Sequence, residues 1–342
     1  MFPSPHHSLG CIHHLIRDYP IPTGLLAALG GLTLARFAFT ATCVFLQTFV
    51  LPGINLARFG ARKGAWAVVT GATDGIGREF ASQLAKAGFN VLIISRNEEK
   101  LSVVASEIAG KYNIQTKTHA IDFAKPTEKS WEVLGSIISG IEVGVLVNNV
   151  GRSHDIPVYF TETPQDEIDS ILTININSTL RVTQIVLPSL LARKKGLILN
   201  IGSFAGAVPS PMLATYSGSK AFLSTWSQAL AEELKSRGIT VQLINTFFVV
   251  SAMSKIRKPT LSTPLPNAYV RSVLSHIGSP CGALGRPYIA TPYWAHSLID
   301  WVLGQIGLAG LYISYTHSLQ KSIRARALRR RAREAESTKQ AE

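Results

Sequence analysis

From Trp66 to Ile244 the chain alternates short, strongly apolar runs with longer helical patterns. Trp66–Thr70, Val91–Ser95, Val143–Val147, Leu197–Ile201 and Thr240–Ile244 read as buried strands, and His119–Asp122 closes a further one. Helical patterns stand at Arg78–Ala87, after Ser95, at Ile168–Leu187 and at Ala221–Leu234. Strands that alternate with helices predict a doubly wound parallel α/β sheet. Right-handed crossovers then gather the loops at the carboxyl ends of the strands along one edge, where ligands bind.

The first of those loops is Thr70-Gly71-Ala72-Thr73-Asp74-Gly75-Ile76-Gly77. It follows a buried strand and opens a helix, the Rossmann-like arrangement for a dinucleotide. Its glycines permit a tight turn and close approach of the backbone to a pyrophosphate, which then faces free N–H groups and the positive end of the helix dipole. The second strand ends Ile93-Ile94-Ser95-Arg96-Asn97, with no acidic residue before Glu98. An acid there commonly binds a ribose 2′-hydroxyl, whereas an arginine accommodates a 2′-phosphate, so Arg96 points to NADP(H), with Arg78 as a second cation nearby.

Tyr216 and Lys220 stand four residues apart, on one helical face. A tyrosine is a poor acid–base group near neutrality, and a neighbouring ammonium favours its ionised form and makes proton exchange practical. Ser203, just past the fifth strand in Asn200-Ile201-Gly202-Ser203, has a hydroxyl that reaches the same substrate oxygen.

The flanks differ from this core. An apolar run from Thr23 to about Val50 contains one ionisable side chain, Arg36, and exceeds the roughly 20 residues that a spanning helix needs. It is too long for a signal peptide and is expected to be a membrane anchor; a buried pair of core helices is the alternative. Arg58, Arg62 and Lys63 follow it, while only Arg17, beside Asp18, closely precedes it, and this bias puts the C-terminal side in the cytosol. Beyond Pro287 the order weakens: the apolar, glycine-interrupted stretch Trp301–Tyr315, with the polar His296 and Asp300 just before it, is short for a span and reads as an interfacial or core helix. Beyond it Lys321–Arg333 is densely basic, either a solvated or disordered tail or a membrane-surface segment. Residues 1–60 thus form a tail and anchor, 61–290 a nucleotide-binding catalytic domain, and 291–342 a membrane-associated segment with a basic tail.

The net charge of +13 favours anionic partners. No nucleic-acid module is present, and no metal-ligand spacing; the pairs His6-His7 and His13-His14 belong to a polar terminus. Cys11, Cys43 and Cys281 are scattered and odd in number, which suits a reducing compartment rather than a disulfide framework.

The glycine loop, Asn148-Asn149-Val150-Gly151, Asn175, Ser203 and Tyr216…Lys220 together resemble the short-chain dehydrogenase/reductase signature, in order and spacing, over about residues 64–285. The resemblance implies that Tyr216 protonates a carbonyl oxygen that Ser203 polarises. It implies that Lys220 binds the nicotinamide ribose and that Asn175 holds a water of the proton relay, with Asn177 the rival for that place. Gly71, Asp74, Gly75, Ile76, Gly77 and Arg96 would hold the cofactor. Asp122 matches the residue that touches adenine, Asn149 the one beside the adenine ribose, and Val69 borders the nucleotide. The family usually carries Pro-Gly after the sixth strand and then a threonine near the nicotinamide amide. This chain has Asn245-Thr246-Phe247-Phe248-Val249-Val250-Ser251 instead, which leaves Val249 and Ser251 as the candidate contacts.

The stretch from Ser251 to Thr260, with the anchor, is similar to the membrane-bound 3-ketoacyl-CoA reductases of very-long-chain fatty acid elongation, and above all to their fungal members. That similarity implies an acyl-CoA substrate, NADPH, the endoplasmic reticulum membrane and other elongation-cycle enzymes as partners. A membrane-bound 17β-hydroxysteroid or retinoid reductase shares the chemistry. A non-catalytic scaffold is opposed by the complete Ser203, Asn175, Tyr216 and Lys220 set. Phe204, Val208, Pro209, Met212, Phe247 and Phe248 are expected around an apolar substrate pocket. Lys255, Arg257 and Lys258 are a basic cluster suited to coenzyme A phosphates, to acidic lipid headgroups, or simply to water.

Overall fold

The computed structural model describes residues 17–307 and 309–341; Cys11 and the two histidine pairs lie outside them. Seven strands form one parallel sheet: β1 (Trp66–Thr70), β2 (Asn90–Ser95), β3 (Thr116–Ala120), β4 (Val143–Asn148), β5 (Gly196–Ile201), β6 (Ile239–Ile244) and β7 (Ile289–Ala290). Their order is β3-β2-β1-β4-β5-β6-β7, so the winding reverses between β1 and β4. A crevice opens there, past the carboxyl ends of both strands.

Alternation along the strands sorts the core into two layers. Val69, Ile93, Val147 and Leu199 face one layer with Phe80, Leu84, Leu101 and Tyr269 from the helices Gly75–Lys86, Glu98–Tyr112 and Pro266–Ser275. Val68, Leu92, Leu146 and Ile198 face the other, with Trp131, Val186 and Ala231 from the helices Glu128–Ser139, Ser178–Arg193 and Ala214–Lys235.

The third strand runs over Thr116–Ala120 rather than closing at Asp122. As a polar, half-exposed edge strand it gives no apolar signal. The long pattern centred on Ile168–Leu187 is helical from Gln165 to Arg193 but widens into a π-turn at Thr173–Asn177. Such turns recur at functional sites, and this one carries Asn175.

Order continues past Pro287. After β7 the helix Trp294–Ile306 packs inward, burying Ala295, His296, Ser297, Asp300 and Trp301. Gly307, in the left-handed conformation at φ 65°, ends it, and a second helix runs from Ala309 to Ala341. Asp300 accepts hydrogen bonds from Thr291 at 2.5 Å and from Asn245 at 3.3 Å, and pairs with Arg286. This buried carboxylate thus ties the exit of β6 to the helix behind it.

At the other end, Pro20–Phe49 is one helix of 30 residues, long and apolar enough to cross a membrane. Its first two thirds are almost wholly exposed, while Val44 and Thr48 are buried. The docked part meets the helix Trp294–Ile306. Thr48 Oγ1 lies 2.9 Å from Ser297 Oγ, Gln47 Oε1 accepts from the Cys281 N–H at 3.1 Å, and the Phe37 and Trp301 rings are 5.1 Å apart. The turn below it is also fixed, since Gly53 and Ile54 donate their N–H groups to Ser275 and Ile277 at 2.8 Å.

Candidate active site

The glycine loop joins β1 to the helix Gly75–Lys86. Gly71 and Gly75 hold positive φ angles of 66° and 54°, where a side chain is disfavoured. At Gly77 the reason is space, because a Cβ would lie 2.2 Å from the Gly71 carbonyl oxygen and 2.4 Å from Asn149 Nδ2. Asp74 caps the helix, its carboxylate accepting from Gly75 N at 2.7 Å. The N–H groups of Ile76 and Gly77, in the first turn, have no helical acceptor. This bare, Cβ-free cradle fits a pyrophosphate.

Asn149, at the end of β4, spends its amide on the loop itself: Nδ2 donates to the carbonyls of Thr70 at 3.0 Å and Gly71 at 3.2 Å. It positions the cradle as well as bordering the cavity. Arg96 is exposed beyond β2, with no ion-pair partner among the described residues, whereas Arg78 is engaged by Glu107. Asp122 is exposed and caps its own turn through Ala124 N at 3.0 Å. Val69 is fully buried in the sheet and lies behind the cavity rather than on its wall.

A cavity of about 420 Å³ brings the remaining candidates together: Gly71, Asp74, Gly75, Ile76 and Gly77 at one end, then Asn149, Ser203, Tyr216, Lys220, Val249 and Ser251. Tyr216 and Lys220 lie one turn apart near the start of the helix Ala214–Lys235. The Lys220 ammonium lies 5.9 Å from the Tyr216 ring centre and donates to the Ile201 carbonyl at 2.8 Å. Burial pulls its pKa down to about 8. Burial also raises the Tyr216 pKa, opposed by a hydrogen bond with the Ser203 side chain. Ser203 caps the short helix Phe204–Ala207 and accepts from Ala205 N at 3.2 Å.

Asn175 is fully buried in the π-turn. Its Nδ2 donates to the Arg152 carbonyl and to Ser219 Oγ, both at 2.9 Å, and its Oδ1 accepts from Arg152 N at 2.8 Å. A Cβ built at Gly151 would sit 3.4 Å from Asn175 Oδ1 and 3.5 Å from Lys220 Nζ, so both polar groups border the same gap. Asn177 is exposed on the far side of the turn. A second buried chain, Asn148 Nδ2 to Asn200 Oδ1 at 2.8 Å and Asn200 Nδ2 to Ser227 Oγ at 2.9 Å, locks the ends of β4 and β5 to the Tyr216 helix.

Among the residues expected around the substrate, Phe204, Phe247 and Phe248 line this cavity; Val208, Pro209 and Met212 do not. Where the family's Pro-Gly is missing, aromatic packing holds the segment. Phe247 stacks on Phe204 at 3.9 Å and meets the neutral, buried His296 ring at 5.0 Å. Burial lowers the His296 pKa to about 4.

Two contributions escaped the sequence. Gly206 presses on the Tyr216 helix so closely that a Cβ would fall 2.6 Å from the Lys220 carbonyl carbon. Tyr312, Thr316, Leu319 and Gln320, from the C-terminal helix, form one wall of the cavity. Arg324 secures that helix, pairing with Glu162 at 2.5 Å and donating to the Pro157 carbonyl at 3.1 Å. The helix thus covers the site with residues just before the basic segment Lys321–Arg333, and Arg324 within that segment fastens it.

Residues 65–261 match the family model described as short chain dehydrogenase, and the chain belongs to that family. Two fungal relatives are 57% identical, both named very-long-chain 3-oxoacyl-CoA reductase. The one from Laccaria bicolor is matched over 94% of this chain and 96% of its own length, and the one from Coprinopsis cinerea over 95% and 97%. A relative of the same name from Aspergillus fumigatus is 47% identical over 92% of this chain and 91% of its own. Among solved structures, a putative short chain dehydrogenase from Escherichia coli CFT073 complexed with NADPH superposes with a TM-score of 0.60, at 26% identity, over 68% of this chain and 98% of that one. A 7β-hydroxysteroid dehydrogenase reaches a TM-score of 0.66 at 22% identity, over 77% and 99%, a likeness of fold alone. The family and its cradle define a site for a nicotinamide cofactor.

Proposed function

We propose that this protein is an NADPH-dependent reductase that converts very-long-chain 3-oxoacyl-CoA to 3-hydroxyacyl-CoA in the fatty acid elongation cycle. The observation that carries the reading is that Ser203, Tyr216 and Lys220 converge on one cavity in a chain 57% identical, over 94% of its length, to a reductase of that name. The bound cofactor supplies the hydride. All the proton chemistry belongs to the chain. Tyr216, held protonated by burial, donates to the carbonyl oxygen as it gains charge. The Ser203 hydroxyl binds the same oxygen, and Lys220 stabilises the phenolate that the transfer leaves behind. Asn175, with Gly151 leaving room between it and Lys220, holds the water through which Tyr216 is reprotonated.

NADPH is the fitting cofactor because Arg96, exposed just after β2 and without an ion-pair partner among the described residues, has the position in sequence at which an arginine accommodates a 2′-phosphate, and Asp122 matches the family's adenine-contacting residue. The unsupported stretch Pro20–Arg36 measures about 25 Å at the helical rise, close to the thin hydrocarbon core of the endoplasmic reticulum membrane, about 27 Å. A single span with Arg58, Arg62 and Lys63 after it puts the catalytic domain in the cytosol. Lys255 Nζ donates to the Asp155 carbonyl, while Arg257 and Lys258 are exposed, without an ion-pair partner among the described residues, and suited to meet coenzyme A phosphates. Other elongation-cycle enzymes, which make the substrate and consume the product, are the expected partners.

The test is reductase activity of the purified full-length protein in lipid. NADPH oxidation that depends on a very-long-chain 3-oxoacyl-CoA, with little activity on a steroid or retinoid ketone, is the expected result; the reverse preference overturns it.

A further inference from the structure

The catalytic cavity has a neighbour. A second cavity of about 330 Å³ shares with it the side chains of Phe204 and Tyr312, whose rings meet edge-on at 5.2 Å. Beyond that aromatic wall it is lined by Val208, Leu284, Trp301 and Leu303, and it reaches the anchor helix at Arg36. Its position is fixed by the packing of Phe37 on Trp301.

Three observations say what belongs there. Pockets of roughly 300–1,000 Å³ enclose a drug-sized ligand, and the catalytic cavity, at about 420 Å³, already has the nicotinamide end of a cofactor and a reacting carbonyl to hold. The distal part of a very long acyl chain must leave it. The second cavity opens beside the helix that crosses the bilayer, so a chain threaded through it stays out of water from the carbonyl to the lipid. The charges on its wall are also arranged for this. Asp300 turns its carboxylate to Arg286, Thr291 and Asn245, and Arg36 stands where the anchor helix loses its support from the domain, the level of the headgroups, to which a long cationic side chain snorkels.

Resting on the reductase reading above, we propose that this second cavity is the acyl-chain subsite: the distal chain of the substrate displaces the Tyr312 ring from its edge-on contact with Phe204, passes through the gap so opened and lies along Val208, Trp301 and Leu303, entering directly from the bilayer. The chain exchanges lipid for an apolar lining without passing through water, and length preference is set by whether the chain fits this passage and not by the hydride-transfer site.

Val208 and Leu303 line the second cavity alone, so each is suited to blocking it. The measurement is kcat/KM of the full-length protein in lipid nanodiscs, for a very-long-chain and for a short-chain 3-oxoacyl-CoA, in the wild type, Val208→Trp and Leu303→Trp. A long-to-short ratio lowered about tenfold or more, the cost of forcing a long chain past an overfilled passage, is expected in either variant, and whichever variant folds less well leaves the other to decide. An active wild type whose ratio survives in both variants overturns the route of the chain only. A wild type inactive on both substrates overturns the reductase reading itself.

Discussion

Lys220 donates to the carbonyl of Ile201 at 2.8 Å, fastening the helix that carries Tyr216 to the last residue of β5. The ammonium is therefore held by backbone before any ligand arrives, inside a pocket that disfavours its charge. With Lys220 pulled down to about 8 and Tyr216 pushed up, the group that titrates near the working pH is the lysine. Below about pH 8 it is cationic and supports the phenolate; above, that support is lost while Tyr216 is still a donor. Carbonyl reduction should hold steady below about 8 and decline above it. Lys220→Arg, always charged, should lose this alkaline limb while lowering the plateau. Profiles of kcat/KM against pH check it, and an unchanged limb in the arginine variant counts against Lys220.

Tyr216→Phe removes the proton donor and little else. Turnover should fall by about 100- to 10,000-fold, the ordinary worth of a general acid, with NADPH affinity within about threefold of wild type by this reasoning. Single-turnover kinetics and a fluorescence titration of the cofactor separate the two. Near-normal turnover would assign the proton to another group.

Arg78 is committed to Glu107, so cofactor choice should rest on Arg96. Its charge-assisted contact with a 2′-phosphate is worth roughly 1.5–3 kcal/mol. Arg96→Ala should therefore lose about 10- to 150-fold in kcat/KM for NADPH and little for NADH. Equal losses with both cofactors would make Arg96 a structural residue.

Gly206 and Gly218 make a matched pair. A Cβ at Gly206 runs into the Lys220 backbone, whereas at Gly218, on the catalytic helix, it meets nothing within 4 Å. Gly206→Ala should destabilise by about 1–3 kcal/mol, as overpacking does, and slow turnover by displacing Lys220. Gly218→Ala should be neutral or stabilising by about 0.5–1 kcal/mol. Denaturant melts of the two variants decide, and equal stability would mean that the Gly206 contact relaxes freely.

The cover over the site depends on Arg324. Arg324→Ala removes its contacts with Glu162 and Pro157 and should raise KM for acyl-CoA several-fold while speeding tryptic cleavage within Lys321–Arg333. An unchanged cleavage rate would show that Tyr312 alone seats the helix.

How much of this could be read in advance follows the range of each interaction. The cradle, Ser203 and the Tyr216–Lys220 pair are local patterns tied to strand ends, and the sequence displays them directly. β7 is two residues long and carries no periodicity, so the region after Pro287 looked weakly ordered. Asp300 and His296 looked like polar punctuation before an apolar stretch, because their partners, Asn245, Thr291 and Phe247, become neighbours only when β6 and the later helix meet. Tyr312 lies more than a hundred residues after Phe204 in the chain, and nothing near either one announces that they touch. Asn149 was recognised by position but not in its second task, since its bonds to Thr70 and Gly71 exist only across the β1–β4 crevice.

The docking of the N-terminal helix through Gln47, Thr48 and Phe37 changes what removing it would mean. A tether that ended in slack chain would let the catalytic body swing, and cutting it would cost only location. Here Gly53 and Ile54 leave no slack, and the bonds to Cys281 and Ser297 are made from inside the helix itself. With that helix spanning a bilayer as proposed, the body would ride it at one height and one tilt, like a keel set into a hull, and its mouth would keep a fixed bearing to the lipid. Shaving off the first 50 residues would not yield the same enzyme in soluble form. It would bare Trp301 and the face around it, and with them the wall on which the reaction chamber leans.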